Sequence, residues 1–99
     1  HQDHQVIHAE TVRAFRNTTV LGYESPWNQF VSKADLFVEL APEDLDRKVA
    51  MLAEYRSQQL LGRPYMAPEF VRSSAIFHGV QGGMKYAELY EVITMKWYW

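Results

Sequence analysis

The spacing of apolar residues near the start of the chain changes from helical to strand-like. Over residues 4–16 the apolar side chains recur at helical spacing between charged ones, and Asp3 precedes them as a favoured N-cap residue. This pattern predicts a first helix from about His4 to Arg16. The short run Val20–Tyr23 is β-prone and predicts a strand, and a turn or loop is expected at residues 24–28 because proline lacks an amide donor.

Two further elements are predicted in the middle of the chain. Residues 35–40, which contain the apolar run Leu36-Phe37-Val38, predict a second strand, and Pro42 follows at what would be a first helical position. Apolar residues then continue at helical spacing, which predicts one helix over residues 42–59. Gly62 is expected to close this helix, and Pro64 prevents its resumption.

The last third of the chain predicts a helix and a strand. The helix starts at Pro68-Glu69 and ends in the Gly82-Gly83 break, and residues 86–99 are rich in strand-forming side chains. The predicted order is helix, strand, strand, helix, helix, strand, which is an α/β pattern with few strands. Because helices need a partner layer to cover their apolar stripes, further strands are expected upstream. The histidine at position 1, in place of methionine, supports that expectation.

Composition and charge narrow the classes of function. Hydrophobic residues make up 47% and charged residues 22% of the 99 residues, as in an ordinary globular protein. The net charge is −2 and the basic residues are scattered, so no nucleic-acid partner is expected. The absence of cysteine excludes disulfides and thiolate metal sites. No apolar stretch approaches the roughly 18 residues of a membrane span, and with no signal peptide in view a cytoplasmic location is expected.

Histidines are concentrated at the start of the chain, where three of the four fall within eight residues: His1, His4 and His8. Imidazole is a common zinc ligand, and positions separated by three, four or seven lie on one face of a helix. The spacing of His4 and His8 matches a zincin motif, but position 5 is Gln rather than Glu, so no general base is offered there. The spacing alone leaves two interpretations, a metal site or exposed histidines with no special role.

The segment His1-Gln2-Asp3-His4 resembles the His-x-Asp-His motif of the LmbE/PIG-L-type zinc-dependent N-acetylglucosaminyl deacetylases. Three more segments resemble family motifs in the same order: Leu21-Gly22-Tyr23-Glu24-Ser25-Pro26, Lys48 with Tyr55-Arg56-Ser57-Gln58, and Gly79 with Tyr86-Ala87-Glu88-Leu89-Tyr90-Glu91. The resemblance spans nearly the whole chain. It implies that residues 1–99 are the C-terminal part of one α/β domain, with about three helices and three strands of a Rossmann-like fold.

The resemblance also implies roles for single residues. His4 corresponds to the family's third zinc ligand, and His1 corresponds to the histidine that stabilises the oxyanion or protonates the leaving amine. Asp3 corresponds to the carboxylate that orients this imidazole. The implied activity is hydrolysis of an N-acetyl group on an N-acetylglucosamine-type substrate, with Zn2+ as the cofactor that activates water and polarises the carbonyl.

One family motif is absent from this sequence. The Ala-His-Pro-Asp-Asp-Glu segment, which supplies the family's other two zinc ligands and its Asp general base, has no counterpart here. The isolated chain is therefore expected to be inactive. Its implied partners are an N-acetylated sugar or glycoconjugate, and either a missing N-terminal half or another chain that completes the site.

Several other residues have both a functional and a structural interpretation. Trp27 could bind substrate by stacking on a sugar ring, or it could pack as a loop aromatic. His8 is expected on the helix surface, His78 at the edge of the core, and Glu88 in a structural ion pair. The terminal run Trp97-Tyr98-Trp99 is expected to be a strand-end patch covered by the missing half. Local backbone hydrogen bonds are the expected role of three residues near the end of the second predicted helix: Tyr55, Ser57 and Gln58.

Two functions of other classes remain alternatives. The chain could be a non-catalytic carbohydrate- or partner-binding module derived from this fold, using Trp27 and the terminal aromatic residues. It could also be a small metal-binding domain in which three histidines form a self-contained site: His1, His4 and His8. A homo-oligomer is a further option for each of these functions.

Overall fold

The computed structural model describes residues 2–23 and 33–97. This part of the chain contains four α-helices, a 3-10 helix and three strands, in the following order: α1 (Gln2–Ala14), β1 (Val20–Tyr23), β2 (Leu36–Glu39), α2 (Pro42–Ala53), α3 (Arg56–Leu60), the 3-10 helix (Pro64–Met66), α4 (Pro68–Gly82) and β3 (Ala87–Thr94). The strands form one sheet in the order β1-β3-β2, and β1 runs antiparallel to β3. The predicted mixed α/β class with three strands is confirmed.

The prediction of a single helix over residues 42–59 is wrong, because the helix is interrupted after Ala53 and the segment forms α2 and α3. The amides of Glu54 and Tyr55 donate to carbonyls three residues back, at 3.1 and 3.2 Å, which tightens the last turn of α2. Tyr55 then leaves helical geometry, with φ −80° and ψ 72°. The side-chain amide of Gln59 donates to the Leu52 carbonyl at 3.2 Å and satisfies one of the acceptors left at the end of α2. The described chain therefore has four α-helices rather than about three.

The first helix also differs from its prediction at both ends. It begins at Gln2 and ends at Ala14, so Asp3 lies inside the first turn and is not the N-cap. A carboxylate in the first turn still stabilises the helix, because it faces the positive end of the helix dipole. The prediction that His1 precedes the helix concerns a residue outside the described part of the chain, as does the turn predicted at residues 24–28.

Prediction and structure agree best at strand β1 and at the ends of α4, where proline or glycine marks the boundary of the helix. Strand β1 spans Val20–Tyr23, as predicted, and α4 begins at Pro68 and ends at Gly82. Gly83 follows α4 in the left-handed conformation, with φ 73°, and its amide donates to the Gly79 carbonyl. The C-terminal strand is shorter than the predicted span of residues 86–99, since β3 ends at Thr94.

The contact pattern divides the chain into two compact units, the first comprising His1–Leu36 and Tyr90–Trp99 and the second comprising Phe37–Leu89. The core of the second unit is formed by Leu45 of α2 with Val71 and Ala75 of α4. Four partly buried side chains pack around this core: Leu40, Val49, Leu52 and Tyr86. An ion pair of 2.9 Å between Arg72 and Asp46 also joins α4 to α2, so these helices are held by both packing and charge.

In the first unit, side-chain hydrogen bonds connect β3 and the residues after it to the segments that precede β1 and β2. The Thr19 hydroxyl, just before β1, accepts from the Lys96 amide at 3.0 Å and donates to the Lys96 carbonyl at 3.3 Å. The Asp35 carboxylate accepts from the amide of Val92 in β3 at 3.0 Å. The pairing contains an irregularity between Val20 and Leu21.

Helix α1 is held much more loosely than the other long helices. From Asp3 to Ala14, every side chain is exposed except that of Thr11, which is half-buried. The apolar side chains of Val6 and Ile7 are each 62% exposed. Because a helix of 13 residues is marginal in water without packing, α1 depends on stabilisation beyond its own backbone hydrogen bonds.

No helix of the described chain is long and apolar enough to cross a membrane.

Candidate functional site

The first turn of α1 presents the two described residues of the His-x-Asp-His motif. Asp3 and His4 both lie on this turn, and both side chains are exposed. His1, the remaining residue expected to take part in catalysis, lies outside the described residues. The structure therefore places the expected zinc ligand and the expected orienting carboxylate at an accessible helix end.

His4 and His8 lie one helical turn apart on the same face of α1. Residues separated by four positions in a helix have Cβ atoms about 5–6 Å apart. Both imidazoles are exposed, so the expectation that His8 lies on the helix surface is confirmed. Thr11, the half-buried residue of α1, follows His8 by three positions and shares this side of the helix.

Among the described residues, the donor set near α1 does not by itself complete a catalytic zinc centre. Catalytic zinc takes three protein ligands and keeps one position for water. Within residues 2–23 and 33–97, no group of three or more His, Cys, Asp or Glu side chains is arranged to hold a metal ion. The exposed imidazole of His4 fits the role of one ligand, and the other ligands of such a centre would have to come from residues outside this set.

Of the aromatic residues expected at a sugar site, the described part of the chain includes only Trp97. Trp97 is 71% exposed. Trp27, Tyr98 and Trp99 all lie outside the described residues, so the structure does not decide between sugar stacking and packing for Trp27. Trp97 nevertheless gives the first unit at least one large aromatic surface that is open to solvent.

Glu88 forms the ion pair that was expected of it. Its carboxylate lies 2.7 Å from the ammonium of Lys48, with side-chain exposures of 26% and 40%, and the pair joins β3 to α2. His78 is 7% exposed, which agrees with its predicted place at the core edge. Its Nδ1 lies 2.9 Å from the side-chain oxygen of Gln81, one turn along α4. Glu88 therefore connects two elements of the second unit, whereas the His78 contact lies within α4.

The Lys48–Glu88 pair leads to a quantitative prediction. A double-mutant cycle with Lys48→Met and Glu88→Gln is expected to give a coupling of about 1 kcal/mol in the free energy of unfolding, because the pair is short but only partly shielded from water. Denaturant unfolding of the four proteins in the cycle measures it. The exposed pair Arg47–Asp44, at 3.5 Å within α2, is the control and is expected to give less. A coupling near zero for Lys48–Glu88 would show that the contact contributes no stability.

Comparison with protein-family models, with curated proteins and with solved structures finds no match for this chain. The resemblance to the deacetylases therefore depends on the four ordered sequence motifs alone.

Proposed function

We propose that this chain is the C-terminal portion of a zinc-dependent N-deacetylase of the LmbE/PIG-L type, with a Rossmann-like domain completed by other residues. The observation that carries the proposal is the His-x-Asp-His motif at the start of α1, whose Asp3 and His4 are both exposed on the first turn. The proposed reaction converts an N-acetylated sugar and water into acetate and the free amine. In accordance with this chemistry, the expected substrates are N-acetylglucosamine-type groups.

The motif residues would divide the work of amide hydrolysis. His4 would hold the zinc ion, which when bound supplies a Lewis acid and an activated water. His1 would donate a hydrogen bond to the oxyanion that develops as water attacks the carbonyl, or pass a proton to the departing amine. Asp3 would orient the His1 imidazole so that its proton faces the reacting group.

The exposure of α1 supports an incomplete site rather than a finished one. A helix end that carries two motif residues and almost no buried side chain has room for further polypeptide to pack against it. The missing zinc ligands and the general base would be supplied by an upstream segment or by another chain. The chain alone would then have neither a complete metal centre nor activity.

Acetate release by the product of the complete reading frame tests the proposal directly. We expect a chelator to abolish acetate release from an N-acetylglucosamine glycoside and added zinc to restore it, with one free amine formed per acetate. A zinc-loaded protein that released no acetate from any N-acetylated sugar tested would contradict the deacetylase proposal.

The exposed indole of Trp97 favours one second candidate, a non-catalytic module that binds a carbohydrate or a partner protein. Under this alternative, sugar binding would persist without acetate release and would weaken when Trp97 is replaced by alanine. Under the deacetylase proposal, by contrast, turnover would accompany binding.

A further inference from the structure

His4 and His8 have the spacing at which two imidazoles can bind one metal ion. Of the proposed catalytic centre, this requires only His4. Both imidazoles are exposed and stand one turn apart on α1. Zinc–nitrogen bonds are about 2.0–2.1 Å long, and Cβ atoms four residues apart in a helix are about 5–6 Å apart, so two such side chains can reach one ion. Water molecules can fill the remaining positions.

We propose that His4 and His8 form an exposed two-histidine site on α1 that captures a divalent transition metal such as Zn2+. The site shares His4 with the proposed catalytic centre, but it also requires His8, to which the resemblance assigns no role. It would provide a place where an incoming zinc ion binds His4 before further ligands are present, and only this last step rests on the proposed function.

The loose packing of α1 gives the chelate a structural consequence. A helix of 13 residues with no buried side chain from Asp3 to Ala14 gains little stability from packing. An ion bound by side chains one turn apart binds the helical form in preference to the unfolded one, and therefore stabilises the helix by mass action. Metal binding and helix formation in α1 are thus coupled.

The two imidazole ligands determine which metal ions the proposed site would bind. Imidazole suits zinc, copper and nickel, whereas magnesium and calcium prefer oxygen ligands. Gln5 lies between the histidines in sequence but on a different part of the helix surface, so it is a suitable position for testing the importance of spacing.

Zinc titration of this chain, with amide hydrogen exchange of α1 as a second measurement, tests the chelate. We expect one zinc ion to bind and to slow amide exchange across α1, while magnesium does neither. His4→Ala and His8→Ala are each expected to weaken zinc binding at least about tenfold, since each converts a two-point attachment into a single one. His1→Ala is expected to preserve binding.

A relocation variant separates spacing from histidine content. The triple substitution H1A/Q5H/H8A keeps the same number of histidines as His1→Ala but places the two near the start of α1 at adjacent positions 4 and 5, which do not face each other on a helix. We expect it to bind zinc as weakly as His8→Ala and to leave amide exchange of α1 unchanged by zinc. Zinc binding that survived His8→Ala, or that was lost with His1→Ala, would overturn the chelate. The proposed deacetylase centre does not use His8. Failure of the two-histidine site would therefore say nothing about acetate release, and the two proposals can fail separately.

Discussion

Replacing Gly79 with alanine is expected to lower the free energy of unfolding by about 3 kcal/mol or more, because the methyl group would collide with the backbone. A Cβ at this position would lie 2.5 Å from the Lys85 carbonyl oxygen and 2.6 Å from that of Met84. The chain folds back onto α4 at this point, and the Met84 amide donates to the Gly79 carbonyl at 2.8 Å. Backbone atoms held in this way cannot rotate aside as a flexible side chain could.

The sign of the change in the free energy of unfolding distinguishes a steric collision from an effect of helix propensity. Alanine is favoured over glycine inside a helix by about 1 kcal/mol, so helix propensity alone predicts that Gly79→Ala stabilises the protein. Denaturant unfolding distinguishes the two expectations. Gly62→Ala is the matched control, since Gly62 has φ +63° with no atom within 4 Å of the added methyl group, and its cost should be limited to about 1 kcal/mol of backbone strain. A Gly79→Ala protein as stable as the parent would contradict the close approach of residues 84 and 85.

The boundaries of α4 show why some elements could be predicted closely from the sequence. Proline at position 68 lacks an amide that the first turn does not need, and glycine at position 83 adopts the left-handed conformation that ends many helices. Each boundary is determined by the local chemistry of one residue. The break between α2 and α3 has no such marker, because it arises from turn-tightening hydrogen bonds and from the Gln59 side chain reaching back to Leu52.

The same distinction applies to the candidate site. The sequence predicts a helix that begins at about His4, since the apolar spacing is a local feature, but it places Asp3 at the N-cap, whereas the structure includes Asp3 in the first turn. Glu88 was expected to form an ion pair, but its partner Lys48 lies 40 positions away and is chosen by how β3 and α2 meet. The surface position of His8 could be predicted from the sequence, but the exposure of nearly every side chain of α1 depends on tertiary packing and follows from no spacing pattern.

Under the deacetylase proposal, His4→Ala in a protein whose zinc site is complete is expected to remove the zinc and to reduce acetate release by more than about a hundredfold. Loss of a residue that merely orients a zinc ligand already costs 10–100-fold in metal affinity or activity, and loss of a ligand should cost more. Alanine is the best helix former, so the substitution should leave α1 intact and the defect should lie in metal binding. Zinc content after dialysis and acetate release, measured on the same sample, test this prediction.

Two further variants separate the zinc ligand from its neighbours. Gln5→Ala changes an exposed polar residue of the same helix and should retain both zinc and activity. His1→Ala should retain zinc but slow turnover, because it removes a group that acts on the developing oxyanion or the leaving amine rather than a ligand. The three proteins therefore differ in a specific way: zinc and activity fall together for His4, activity alone falls for His1, and neither falls for Gln5. A His4→Ala protein with full zinc content and full activity would show that the ligand is a different residue, and the assignment of the motif would then be wrong.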